Sequence, residues 1–262
     1  TENKEKLGIV GCKLINGSGI FLPESKRNIP YVNAAFKKML GNSKKYYANH
    51  LNQNDIGVVD ILVGAFMLLK RDLFNSVQGF DEDYFMYGED IDISYKVLNA
   101  GYHNYYYGET SVIHFKGESS LKDKVYARKF YGAMQIFYEK HFKKNRFFDM
   151  FVWLGIKIMY FLRRMPSIKK KNILSYVFVS DKMNESLKAK LTKKMILQSD
   201  LNAVEKGVEV IFDSNLLSYQ EIISIIENNK SDNGVTFKIL PNGSNFILGS
   251  DNGFSTGEIL YF

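Results

Sequence analysis

A chain of 262 residues with 45% hydrophobic content can bury a sizeable core, and its length predicts one large domain or two small ones, of which we expect two. A single cysteine, Cys12, excludes an internal disulfide, and no charged n-region with the apolar run of a secretory signal opens the chain, so a reducing, cytoplasmic setting is expected. The net charge of +7 is uneven: residues 122 to 171 hold 14 Lys or Arg against Asp123, Glu139 and Asp149, while the remainder is slightly acidic.

The first ten residues, TENKEKLGIV, pass from a charged segment straight into an apolar one, as in a chain entered partway through. Up to about residue 122, strand-like runs (LGIVGCKLI, VVDILVGAFMLL, YYYGETSVIHF) alternate with helical segments such as VNAAFKKML and ISYKVLNA, an α/β arrangement. Gly101 stands where a helix begun near Asp90 needs a C-terminal glycine with positive φ.

The second region is helical and basic. Val125, Phe130, Ala133, Met134 and Phe137 include the spacing of one amphipathic helix, and Phe147, Phe151, Leu154, Ile158, Phe161 and Met165 that of another. From Phe147 to Leu162 the chain is shorter than the roughly 20 apolar residues that cross a bilayer. Two readings stand: a helix lying in an anionic membrane surface, with Lys and Arg at headgroups and Trp153 and Tyr160 at the boundary, or a helical hairpin packed on its own domain. Nucleic acid is not the expected partner, because no helix-turn-helix, zinc or RNA-recognition pattern accompanies the charge.

Pro166 and Lys169 to Lys171 mark a boundary. Beyond it ILSYVFVS reads as a buried strand, a Lys-rich helix follows, and VEVIFD, SYQEIISIIENN and VTFKIL form a strand, helix, strand unit, hence a small parallel sheet. No G-x-G-x-x-G fingerprint accompanies it, so a structural or protein-binding module is the expectation there.

The densest chemistry lies in YFMYGEDIDISYKVLNAGY, residues 84 to 102. Asp81, Glu82, Asp83, Glu89, Asp90 and Asp92 place six carboxylates within 12 positions. Acidic residues suit a helix start, which alone explains Asp90 or Asp92. Like charges at this density nevertheless need compensation by a cation, a substrate or solvent, and the Tyr84 to Tyr87 run is hard to leave solvated. The carboxylates are therefore expected to flank a pocket. A lone His114 after Val112 and Ile113 reads either as a polar residue at a strand end or as a ligand.

Residues 64 to 102, GAFMLLKRDLFNSVQGFDEDYFMYGEDIDISYKVLNAGY, followed by VIHFKGESS at 112 to 120, resemble the acceptor-side half of bacterial family 2 glycosyltransferases of the GT-A fold, particularly the rhamnosyltransferase-like ones that build surface polysaccharides. The resemblance spans roughly residues 7 to 140, and its specificity lies in the order of motifs: a small-residue strand, G-F-D-E-D, G-E-D at a helix start, then a strand ending in His.

It implies a partial GT-A domain (1–122), which with the patterns read above gives an expected α/β fold continued by a basic amphipathic helical segment (123–168) and a small C-terminal Rossmann-like module (169–262). It also implies an inverting transfer from a nucleotide-sugar donor to a glycan or polyprenyl-linked acceptor, with Asp90 as base and Gly64, Glu89, Asp92 and Lys116 at the substrate. A divalent cation, magnesium or manganese, neutralises the departing diphosphate; its main ligands are expected in an N-terminal half that this chain lacks, with His114 able to contact metal or diphosphate. Asp90-Ile91-Asp92 has the Asp-x-Asp form but the wrong place in the family order, so it is not assigned the metal. The expected location is the cytoplasm, peripheral on the inner face of the cell membrane.

The last segment resembles, through FKILP and GSDNGFSTGEILYF, the nucleotide-fold segment that precedes the catalytic part of bacterial polyprenyl-phosphate sugar phosphotransferases, without chemical residues. A competing reading is a non-enzymatic membrane-associated assembly module. A glycoside hydrolase is disfavoured: adjacent Glu89 and Asp90 project about 100° apart on a helix and cannot face each other across a glycosidic bond.

Overall fold

The computed structural model describes residues 6–31, 42, 44–115, 124–142, 150, 172–201, 205–229, 235–250 and 257–262. The chain divides into two compact units: Thr1–Lys13, Leu22–Thr110 and Lys122–Pro166 form one, and Leu14–Phe21, Ser111–Leu121 and Ser167–Phe262 the other. The architecture is mixed α/β, consistent with a GT-A-like fold.

In the first unit, β1 (Leu7–Ile15) is apolar almost throughout and buried along most of its length, the pattern of a strand covered on both faces. It belongs to a three-stranded sheet of order β1-β5-β3, in which β3 (Ile56–Val59) pairs antiparallel with β5 (His103–Ile113), Val59 facing Asn104. The expected long strand VVDILVGAFMLL is broken. Asp60 interrupts it, β4 (Ile61–Leu62) pairs instead with β2 (Lys26–Arg27), and only Leu68 returns to bridge Val10. Asn104, fully buried, accounts for much of this geometry, since its amide donates to the carbonyls of Asp60 and Ser94 and accepts from Ile9 N–H.

Among the described residues of that unit three helices follow: α1 (Arg71–Ser76), α2 (Glu89–Asn99) and α3 (Lys124–His141). Gly101 closes α2 with φ 85°, the glycine stop that the sequence predicts. Ala133, Met134, Phe137 and Tyr138 of α3 are buried in one cluster with Ile61, Tyr84 and Ile91, so the apolar stripe of the first basic helix is core. The second basic helix, with Trp153, and the predicted helix VNAAFKKML lie outside the described residues. Among the described residues no helix is long and apolar enough to cross a membrane.

The second unit is built on a six-stranded sheet. β6 (Ser175–Val179), β7 (Met195–Gln198), β8 (Val208–Asp213) and β9 (Thr236–Leu240) are parallel in the order β7-β6-β8-β9, and β10 (Phe246–Ser250) and β11 (Glu258–Tyr261) extend it antiparallel. The predicted strand, helix, strand unit is β8, α5 (Tyr219–Asn228) and β9, with α5 opened by a capping box between Ser218 and Glu221. The Lys-rich helix is α4 (Glu185–Lys190), capped by Asn184. Alternation along β8 sends Val208, Val210 and Phe212 into one core with Ile222 and Ile226, and Ile211 into another with Leu187.

Candidate active site

The site grows from the turn that starts α2. Tyr87 at φ 67° and Gly88 at φ 90° hold consecutive residues in the left-handed region, and Gly88 is the N-cap with no side chain to cap the helix. A non-glycine residue held there is strained. The first turn then presents Glu89, Asp90 and Asp92.

The structure settles how the six carboxylates are compensated. Lys140 on α3 lies 2.5 Å from Asp81 and 2.6 Å from Asp83. Asp92, 1% exposed, accepts from His141 Nε2 at 2.6 Å and from the Tyr84 hydroxyl, and is paired with Lys96 at 2.9 Å. Burial would push its carboxyl up, but the hydrogen bonds from His141 and Lys96 outweigh that and hold it below the usual range.

Asp90 is paired with Arg27 at 2.5 Å, both residues being buried. The same Oδ2 accepts Gly64 N–H at 3.1 Å, and Oδ1 accepts Ile91 N–H at 2.8 Å. Arg27 also donates to Leu62 O at 2.8 Å and shares its guanidinium with buried Tyr46. Burial opposes the Arg27 charge, but Asp90 and Tyr46 outweigh it and keep the guanidinium protonated.

Glu82 is exposed to solvent. Glu89 is the exception: Oε2 is buried with no hydrogen-bond partner among the described residues. Burial, then the neighbouring Asp90 charge, raise its carboxyl above the ordinary value. Gly64 lies against this pair, since a Cβ there would come within 3.2 Å of Asp90 Cβ and 3.7 Å of Glu89 Oε1. Gly64, Glu89 and Asp90 are thus brought together, whereas the side chain of Asp92 is taken up by interior partners. Lys116 lies outside the described residues. His114 belongs to the other compact unit, at the end of β5, where its N–H donates to Ile15 O.

Arg27, Tyr46 and His141 were not legible as site residues. Arg27 and Tyr46 carry no motif. His141 does carry a signal, because it falls four residues after Phe137 on the apolar stripe of α3, where an imidazole must find a partner.

The model for "Glycosyl transferase family group 2" matches residues 32–181, and the chain belongs to this family. It is rhamnosyltransferase-like: it is 40% identical over 62 residues to the N-acetylglucosaminyl-diphospho-decaprenol L-rhamnosyltransferase of Mycobacterium tuberculosis, covering 24% of this chain and 20% of that protein. It is 34% identical over 94 residues to rhamnosyltransferase WbbL of Escherichia coli K12, covering 35% of this chain and 36% of that protein. The matched regions thus span about a fifth to a third of these relatives. No solved structure matches.

Enzymes of family group 2 usually use a divalent cation. Among the described residues no group of three His, Cys, Asp or Glu could hold one, and His114 by itself does not make a site, so no step below is routed through a metal.

Proposed function

We propose that the protein takes part in transfer of a sugar from a nucleotide-sugar donor to a glycan or lipid-linked acceptor, with inversion, and that Asp90 takes the acceptor proton. The observation that carries this reading is the Glu89-Asp90 pair at the start of α2, with Asp90 buried, Glu89 half-buried with its Oε2 enclosed, and Gly64 against both. The acceptor hydroxyl attacks the anomeric carbon, the bond from that carbon to the nucleoside diphosphate breaks, and the hydroxyl proton passes to a carboxylate. Asp90 keeps a lone pair on Oδ1 for that proton, Gly64 leaves space beside it, and Glu89 Oε2 accepts a second acceptor hydroxyl. By the family resemblance Lys116 and His114 would act on the diphosphate, and Asp92, whose partners are interior, would support the start of α2 from within.

The lipid-linked acceptor is suggested by the decaprenol named in the activity of the mycobacterial relative, and the basic segment 122–171 would hold the protein on the inner, anionic membrane face. Residues 1–122 would form the acceptor-side half of the transferase domain, 123–168 the basic helical segment and 169–262 an accessory Rossmann-like module.

Asp90→Asn in the full-length enzyme should lower kcat by about 10²-fold or more with donor binding nearly intact; unchanged turnover refutes the assignment. A second reading, in which Glu89 takes the proton, is favoured by the unpartnered Oε2 and the raised carboxyl. Glu89→Gln separates the two. A raised acceptor KM with kcat kept supports Glu89 as a hydroxyl contact, and a kcat loss matching or exceeding that of Asp90→Asn makes it the base.

A further inference from the structure

We infer that Arg27 is a positioning residue for sugar transfer, acting through Asp90. The inference rests on Asp90 as the base. The two residues are far apart in the chain and meet only because β2 pairs with β4, setting Arg27 opposite Ile61 at the strand end that leads to Gly64. One guanidinium nitrogen, Nη2, donates both to Leu62 O at 2.8 Å and to Asp90 Oδ2 at 2.5 Å. Gly64 N–H reaches the same Oδ2 at 3.1 Å.

Two donors therefore fill Oδ2, and Ile91 N–H takes one of the two lone pairs of Oδ1. What is left is a single lone pair in a fixed direction. A carboxylate on a free side chain would rotate about χ2 and offer any of its lone pairs; this one cannot. Arg27 is itself held by Leu62 O and Tyr46, so the clamp does not depend on substrate for its geometry. The rigid guanidinium is held at Tyr46 as well as at Leu62 O, so the direction of its bond to Asp90 is fixed, whereas a lysine ammonium has three rotatable donors on a flexible stem. The nearby cations do not substitute: Lys26 donates to Ala48 O and Leu51 O, and Lys96 is engaged with Asp92 and Gly79 O.

The test compares Arg27→Lys, Arg27→Met, Asp90→Asn and the double variant Arg27→Met/Asp90→Asn in the full-length enzyme, each checked for folding by circular dichroism and thermal melting. Arg27→Lys, which keeps the buried charge compensated, should fold, lower kcat about tenfold or more and leave the donor KM within about twofold. Arg27→Met should lose more, and guanidinium at millimolar concentration should restore part of its kcat where sodium chloride at equal ionic strength does not. In the Asp90→Asn background, adding Arg27→Met should produce no further loss, because the residue it positions is already gone. If Arg27→Met does not fold, Arg27→Lys decides the matter. A folded Arg27→Lys with unchanged kcat overturns the inference while leaving the base intact, and so does an Arg27→Met loss that persists at full size beside Asp90→Asn. Normal turnover by Asp90→Asn overturns the base and this inference together.

Discussion

His141, in the last turn of α3, places Nε2 2.6 Å from Asp92 Oδ1 in the first turn of α2, and so ties the basic helix to the helix that carries the candidate site. Tyr95 and Phe137 pack their rings against the same imidazole, at centroid distances of 4.8 and 5.0 Å. Six carboxylates near one turn repel, and this contact, with Lys96, Lys140 and Arg27, compensates four of them.

Asp92→Asn should therefore destabilise the fold by about 3 kcal/mol, the low end for breaking a buried ion pair, because Lys96 and His141 keep some contact with solvent. The carboxyl of Asp92 is held below its unfolded value, so its contribution is present above the usual carboxylate range and is lost as pH falls through the folded value. The difference in Tm between wild type and variant should be full at pH 7 and shrink below about pH 4. A constant difference across that range would show that the loss is packing alone.

Glu89 predicts the opposite sign. Its folded carboxyl is raised, so the protonated form is favoured by folding, and the charged form costs stability as pH rises past the ordinary carboxylate value. Glu89→Gln should raise Tm at neutral pH, on the order of 2 °C, and make little difference in acid. A carboxylate with one enclosed oxygen left without a partner among the described residues is what a site that trades stability for function would show. A lower Tm at pH 7 would mean that the charged Glu89 has a stabilising partner.

The basic segment gives a third prediction. Residues 122 to 171 carry a net +11, and each Lys or Arg near an anionic leaflet gains on the order of 1 kcal/mol. Sedimentation with anionic vesicles should carry the protein into the pellet at low salt, less so at high salt, with a blue shift of Trp153 fluorescence. The buried stripe of α3 already belongs to the core, so the proposed membrane contact would have to come from residues 147–162, which apart from Met150 lie outside the described residues. A protein left in the supernatant at low salt, with Trp153 indifferent to vesicles, would put that segment in the core as well.

The sequence alone determined the mixed α/β class of the fold and the place of the candidate site. Period-two and period-3.6 patterns reach only along one element, and they suffice for β1, β8, α5 and the start and glycine stop of α2, while the order of G-F-D-E-D and G-E-D marked the family. Only the tertiary structure decided which carboxylate meets which cation. Asp90, Asp92 and Asp81 read alike in a string of acidic residues, but their partners Arg27, His141 and Lys140 come from distant positions, and it is strand pairing and helix packing that bring them within hydrogen-bond reach. The break of VVDILVGAFMLL at Asp60 has the same origin: its apolar run fits one long strand, but the buried amide of Asn104 claims the Asp60 carbonyl, and Arg27 claims that of Leu62. Local pattern sets what a segment can become, and the hydrogen bonds that buried polar groups must find across the fold set what it does become.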